Sequence, residues 1–322
     1  MKKIFLGILL ILVIAVIAAA GFVKLALPNV GDPPEIKVHN DSASVKRGEY
    51  LAMHVAACMD CHSSRDWSKL TGPLVEGTLG KGGEYFGPEL GFPGKFYSRN
   101  ITPVGLSNWT DGEIFRAITS GVSKDGSALF PVMPYNSYST MDKEDVLDII
   151  AYLRQLPAIE NDIPHSAADF PMNFILNTIP QKPAFTTRPA EENTVEYGKY
   201  LVNMASCMDC HTQVDKGAPI PELAFSGGRE FVMPSGTLRS SNITPDKESG
   251  IGNWTEETFI NKFKSYADSS SLVNVKPNEM NSIMPWSMYA GMKESDLQAI
   301  FKYLQSLKPI NNSVEKFTIA SK

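Results

Sequence analysis

The sequence predicts a mainly α protein in which one N-terminal transmembrane helix precedes two tandem helical domains with Gly/Pro-rich loops. Three observations carry this expectation. An uncharged run from Ile4 to Val23 is flanked by Lys2, Lys3 and Lys24. The remainder repeats itself at a period near 150 residues, too long for a solenoid and suited to a duplicated domain. Within each copy, apolar residues recur at helical spacing between segments rich in glycine and proline.

Twenty apolar residues suffice for one membrane-spanning helix. The rival is a cleaved signal peptide with Ala18-Ala19-Ala20 at its cleavage site; the length of the run favours a retained anchor. Either way the rest of the chain is exported, with Lys2 and Lys3 inside. The expected organisation is an anchor over 1–27, a linker over 28–43, a first domain over 44–157 and an ordered proline-rich connection over 158–190. A second domain over 191–310 and a tail over 311–322 follow. Beyond the anchor, 27 basic residues face 35 acidic ones, a net charge of −8, which argues against nucleic acid as a partner.

The repeat is readable in short blocks. Gly48-Glu49-Tyr50-Leu51 returns as Gly198-Lys199-Tyr200-Leu201, and Asn100-Ile101-Thr102-Pro103 as Asn242-Ile243-Thr244-Pro245. Asn108-Trp109-Thr110 returns as Asn253-Trp254-Thr255. From Met133-Pro134-Tyr135 and Met284-Pro285-Trp286 the halves align without a gap, at an offset of 151, to Leu156 and Leu307. Val45 to Ala57 reads as a first helix. Thr110 with Glu113 forms a capping box that opens a second, which stops near Gly121. A third follows Asp142, buries Val146, Ile149, Ile150 and Leu153, and ends before Pro157. Segments 71–103 and 218–245 read as ordered loops.

Cys58-Met59-Asp60-Cys61-His62 recurs letter for letter as Cys207-Met208-Asp209-Cys210-His211, and these hold every cysteine in the chain. C-x-x-C-H is a signal for covalent haem c attachment. Its two thiols form thioethers with the porphyrin vinyl groups, and the adjacent histidine is placed under the iron. A redox pair does not need the histidine, and a zinc site needs further Cys or His ligands nearby. Two covalently bound haem c groups are therefore expected, on Cys58, Cys61 and His62 and on Cys207, Cys210 and His211. Loops 71–103 and 218–245 are then expected to wrap them.

With these motifs in place, both halves resemble class I cytochrome c domains. The resemblance implies a close crossing of a glycine-bearing first helix with an aromatic-bearing last helix, Gly48 with Tyr152 and Gly198 with Tyr303. It also implies a downstream methionine as second iron ligand. Met133 lies 71 residues after His62 and Met284 lies 73 after His211, each followed by proline. Met233-Pro234 imitates the pattern but has no counterpart in the first half. Over roughly residues 44–310 the chain is similar to the membrane-anchored dihaem cytochrome c subunits of periplasmic dehydrogenases; triple-haem members of that group have a third C-x-x-C-H. Such a resemblance implies an electron carrier rather than an enzyme, anchored in the inner membrane and facing the periplasm. It would take electrons from a dehydrogenase and pass them to a soluble cytochrome or a terminal oxidase. The alternative is a dihaem enzyme, a peroxidase or thiosulfate dehydrogenase, with one haem catalytic.

Other candidates are weaker. As iron ligands, His39 lies in a polar stretch before the first domain and is expected to be solvated, His54 fails the symmetry of the repeat, and His165 lies in the proline-rich connection. Met59 and Asp60 are expected to need no role of their own. Arg99, Arg239 and the two Asn-Trp pairs read equally as haem contacts or as turn-shaping residues.

Overall fold

A computed structural model describes residues 1–320 of the chain. It is mainly helical. Helix α1 (Lys2–Leu25) buries none of its residues, and its mean hydropathy reaches 3.1. At about 36 Å it is long enough to cross a membrane. Lys24, in its last turn, donates to the carbonyl of Asn173 at 2.7 Å and lies 4.6 Å over the Phe174 ring.

The Asp41 carboxylate caps helix α2 (Ser42–Tyr50) by accepting from the amides of Ala43 and Ser44. The helix runs on as a π-helical turn, Leu51–Val55, and then the one-turn helix α3 (Cys58–His62). A short antiparallel pair, β1 (Tyr85–Phe86) and β2 (Gly94–Tyr97), lies within the first loop. Helix α4 (Asp111–Ser120) has the expected Thr110–Glu113 capping box and ends on Gly121 at φ 70°. After α5 (Tyr135–Tyr138), Asp142 caps α6 (Lys143–Leu153). This helix stops at Leu153. Residues 154–156 continue only as a tight turn, because Leu156 precedes a proline and the Arg154 guanidinium is drawn to Asp111 and to the Leu106 and Trp109 carbonyls.

The connection is ordered. Its β3 (Ala167–Ala168) pairs with β2, and α7 (Met172–Ile175) meets the end of α1. Ala184 donates to the Ser139 carbonyl, and Phe185 packs on Phe115. The second half then runs α8 (Thr194–Met204), α9 (Cys207–His211), the pair β4 (Val214–Asp215) and β5 (Ala218–Pro219), and the hairpin β6 (Glu230–Met233) and β7 (Gly236–Arg239). Next come α10 (Glu256–Lys264), α11 (Trp286–Tyr289), α12 (Glu294–Ser306) and β8 (Phe317–Ile319), which pairs with β7. The strands are short and sit in loops, where the sequence showed no alternating pattern to announce them.

In each half the first helix crosses the last at a glycine. A Cβ on Gly48 would fall 1.8 Å from the Asp148 carbonyl oxygen, and one on Gly198 1.9 Å from that of Ala299. The close approach is the expected one, but it touches backbone about one turn before Tyr152 and Tyr303.

The halves share one hydrophobic core and exchange equivalent contacts. Tyr50 donates to Asp296 at 2.5 Å and accepts from the Lys293 amide; Tyr200 donates to Asp145 at 2.6 Å and accepts from the Asp142 amide. Tyr50 and Tyr200 are equivalent in the repeat, as are Asp145 and Asp296. The interface is thus pseudo-twofold, like the self-complementary interface of a homodimer. Asp145, fully buried, also binds Arg47 at 3.1 Å and Arg188 at 2.6 Å.

One offset breaks the symmetry. Eight positions separate Tyr50 from Cys58, but seven separate Tyr200 from Cys207. The π-helical turn takes up the extra residue, with the Ala56 amide donating five residues back to Leu51. His54 thereby faces the second half, its Nδ1 2.8 Å from the Met288 carbonyl, where Asn203 makes the mirrored bond to Ser137.

Candidate functional site

Each C-x-x-C-H motif forms a single helical turn preceded by a residue in left-handed conformation, Ala57 at φ 49° and Ser206 at φ 52°. A tyrosine pins each turn from outside: Tyr138 donates to the Ala56 carbonyl and Tyr289 to that of Ala205, both at 3.0 Å. The four cysteines are unpaired. Cys58, Cys61 and Cys207 are half-exposed and Cys210 is exposed. Each keeps one open side while protein surrounds the rest. That burial pushes the Cys58, Cys61 and Cys207 thiols up to about 12 and Cys210 to about 11. A redox-active pair needs a lowered thiol pKa, so these environments oppose that reading. Among the described residues no cluster of three or more His, Cys, Asp or Glu side chains is placed to hold a metal ion, so a zinc site finds no ligand set.

The histidines are oriented for one task. His62 Nδ1 lies 2.7 Å from the Arg99 carbonyl, and His211 Nδ1 2.7 Å from that of Ser241. A carbonyl accepts only, so Nδ1 carries the proton and Nε2 keeps its lone pair. Burial lowers the pKa of both rings and favours this neutral form. The backbone completes the cradle: the amides of Gly82 and Gly227 donate to the His62 and His211 carbonyls at 2.8 Å. Both glycines are left-handed, and a Cβ there would sit 2.5 Å from the Arg99 carbonyl and 2.4 Å from that of Ser241. Two adjacent thiols with open faces and a neutral imidazole presenting Nε2 are the donors that haem c requires, and the residues present fit it.

Met133 and Met284 are half-buried against the core and introduce α5 and α11 through the same turn. The Tyr135 amide donates to the Met133 carbonyl and the Trp286 amide to that of Met284, both at 2.8 Å. Met233 instead lies in the β6–β7 hairpin opposite Gly236, while Met288 and Met292 are buried in the core.

The Asn-Ile-Thr-Pro blocks shape turns. Asn100 Oδ1 accepts from the Thr102 amide and hydroxyl, and its Nδ2 donates to Ile159; Asn242 does the same with Thr244 and Ile310. Each block thereby ties its loop to the chain leaving the last helix. Arg239 pairs with Glu230 at 2.9 Å and Arg99 donates to the Pro164 carbonyl. Thr110 and Thr255 cap helices. His39 and His165 are exposed, and His54 is engaged at the interface.

Met59 and Asp60 do have roles, against expectation. Met59 is fully buried in the core. Asp60 pairs with Arg65 at 2.7 Å, and the same guanidinium donates to the Thr71 and Gly72 carbonyls. That link joins the first motif to the loop behind it. The second half has no arginine at the matching distance, so the repeat could not reveal it.

Residues 195–308 match the family model described as cytochrome c. The chain is 30% identical over 319 residues, 94% of its length, to the cytochrome c subunit of a quinone alcohol dehydrogenase from Gluconacetobacter polyoxogenes, covering 63% of that subunit. It is 28% identical to the fructose dehydrogenase cytochrome subunit of Gluconobacter japonicus, over 86% of this chain and 54% of that one. A dihaem cytochrome c-type protein of Cereibacter sphaeroides is 30% identical over 73% of this chain and 78% of its own length. The chain belongs to the c-type cytochromes and is homologous to cytochrome c subunits of dehydrogenase complexes. It spans less than two thirds of the length of the dehydrogenase subunits named here.

Proposed function

We propose that this chain is a membrane-anchored relay with two covalent haem c groups, built as tandem class I cytochrome c domains. It would carry electrons in the periplasm from a dehydrogenase toward a soluble cytochrome or a terminal oxidase. The observation that carries the reading is the duplicated donor set: two C-x-x-C-H turns, each with its imidazole Nδ1 tied to a carbonyl, and two Met-Pro turns, all around one core. The relatives' roles in dehydrogenase complexes support the donor.

Cys58, Cys61 and His62 would hold one group with Met133; Cys207, Cys210 and His211 would hold the other with Met284. Haem supplies one-electron redox chemistry, and thioether–imidazole ligation leaves no free site while raising the potential. The protein supplies orientation. The carbonyls of Arg99 and Ser241 fix the rings, and Tyr138 and Tyr289 fix the attachment turns. Those two phenols are buried, and that burial pushes their pKa values well above the ordinary range.

The test combines spectroscopy with turnover. The oxidised holoprotein is expected to be low-spin at both irons, with the weak far-red band of a methionine–ferric bond. It should exchange electrons readily with a redox partner yet show negligible turnover with peroxide or thiosulfate. One native high-spin iron with fast turnover on either substrate would instead make the chain a dihaem enzyme.

A further inference from the structure

The two halves differ most in two loops, and those loops meet. Twenty residues separate His62 from Gly82, but sixteen separate His211 from Gly227. Twenty-four separate Trp109 from Met133, but thirty separate Trp254 from Met284. The extra residues of the first half and those of the second lie against each other. The Leu70 amide donates to the Val273 carbonyl and the Val275 amide to that of Ser68, both at 2.8 Å, and Lys69 bridges Asn274. Asn281, nearly buried, donates to the Trp67 and Lys69 carbonyls at 3.2 and 3.1 Å and accepts from the Thr71 amide at 2.8 Å.

At the centre is Thr71, fully buried and held at φ 62°. Its hydroxyl donates to the Met284 carbonyl at 2.5 Å and accepts from the Trp286 amide at 3.3 Å. It therefore grips both ends of the turn that carries the second methionine, from the opposite half of the molecule. The Met133 carbonyl, by contrast, accepts only from Tyr135 among the described residues. Behind Thr71, Arg65 fastens its carbonyl and the adjoining Gly72 to Asp60 within the first C-x-x-C-H motif.

We propose that Thr71 is a positioning residue for the second iron. The first half would hold Met284 in ligating position through this hydroxyl, making the ligation of one haem depend on the fold of the other half. This rests on Met284 being a ligand, as proposed above. Removing this buried hydroxyl would leave the turn held only by its own bond from the Trp286 amide to the Met284 carbonyl, with no tie to the first half, and the turn is then freer to move. A thioether–iron bond is the ligand most easily lost to such movement, because thioether is a poor donor to ferric iron.

The experiment uses the full chain loaded with haem. In a Met133→Ala background the remaining far-red band belongs to Met284. There Thr71→Val is expected to abolish that band, lower the midpoint potential of the second haem and open it to carbon monoxide; Thr71→Ser, which keeps the hydroxyl, should restore all three. In a Met284→Ala background, Thr71→Val should leave the Met133 band untouched, which general loosening of the protein would not. If Met284→Ala alone leaves the full band of the wild type, the ligand assignment has failed. If that variant halves the band but Thr71→Val leaves the Met284 band, potential and carbon monoxide uptake unchanged, Thr71 does not position the ligand. Should Thr71→Val not accumulate, Asn281→Ala is read the same way: an unchanged Met284 band overturns the proposal.

Discussion

The first and second halves carry the same helices in the same order, yet they part company where they face each other. The first half has an inserted residue in its opening helix, absorbed as a π-helical turn, and the second has Gly291 where His54 arrives. The first half lengthens the loop after its haem motif, and the second lengthens the loop before its methionine; the two additions pair. Asp145 holds two arginines and a tyrosine, whereas its counterpart Asp296 accepts chiefly from one tyrosine. A self-complementary interface tolerates differences between its halves when the opposite half supplies the complement.

The largest test of the comparison is at the attachment turns. Replacing Cys58 and Cys61 by alanine, or Cys207 and Cys210, should each leave one haem per chain by pyridine haemochrome. Retention of both groups in either variant would break the equivalence of the halves.

Next comes the interface. Asp145→Ala strands the half-buried Arg47 and the buried Tyr200 hydroxyl together and should cost about 3–5 kcal/mol in denaturant unfolding of the holoprotein. Asp296→Ala leaves mainly the Tyr50 hydroxyl without an acceptor for its proton and should cost about 1–3 kcal/mol. Equal losses would mean that the asymmetry in ion pairing carries no energy.

A smaller effect sharpens the account of the inserted residue. A Cβ at Gly291 would sit 2.1 Å from the His54 ring, so Gly291→Ala should destabilise by about 1–3 kcal/mol. His54→Ala in the same chain should recover most of that loss, a coupling measurable as a double-mutant cycle.

The smallest difference lies at the helix caps. Thr110 has a complete capping box with Glu113, while Thr255 bonds the amide and hydroxyl of Thr258. Thr110→Ala should cost about 1 kcal/mol and Thr255→Ala less, read from thermal unfolding.

Much of this was legible in the residues. The cysteine spacing, the capping box at Thr110, the glycine at Gly121, the apolar run of α1 and the repeated Met-Pro turns are all local signals. Each depends on a few neighbouring residues whose chemistry permits little else: two thiols and an imidazole at fixed spacing, a hydroxyl three residues before a carboxylate, a twenty-residue stretch without charge. Repeat symmetry added the pairing of equivalent positions. What symmetry could not convey is anything that differs between the halves. The π-helical turn follows from one surplus residue, but its direction, aiming His54 at Met288, depends on what lies opposite. Thr71, Asn281 and Arg65 sit in loops of unequal length with no counterpart to compare. Their partners are up to more than 200 residues away in the chain. Sequence determined which groups can bind haem, because that chemistry is carried by side chains in local array. Tertiary structure decided which distant residues meet, as Thr71 does with Asn281 and the Met284 carbonyl, because a buried hydrogen bond is chosen only when packing brings distant chain together and leaves its polar atoms no water to turn to.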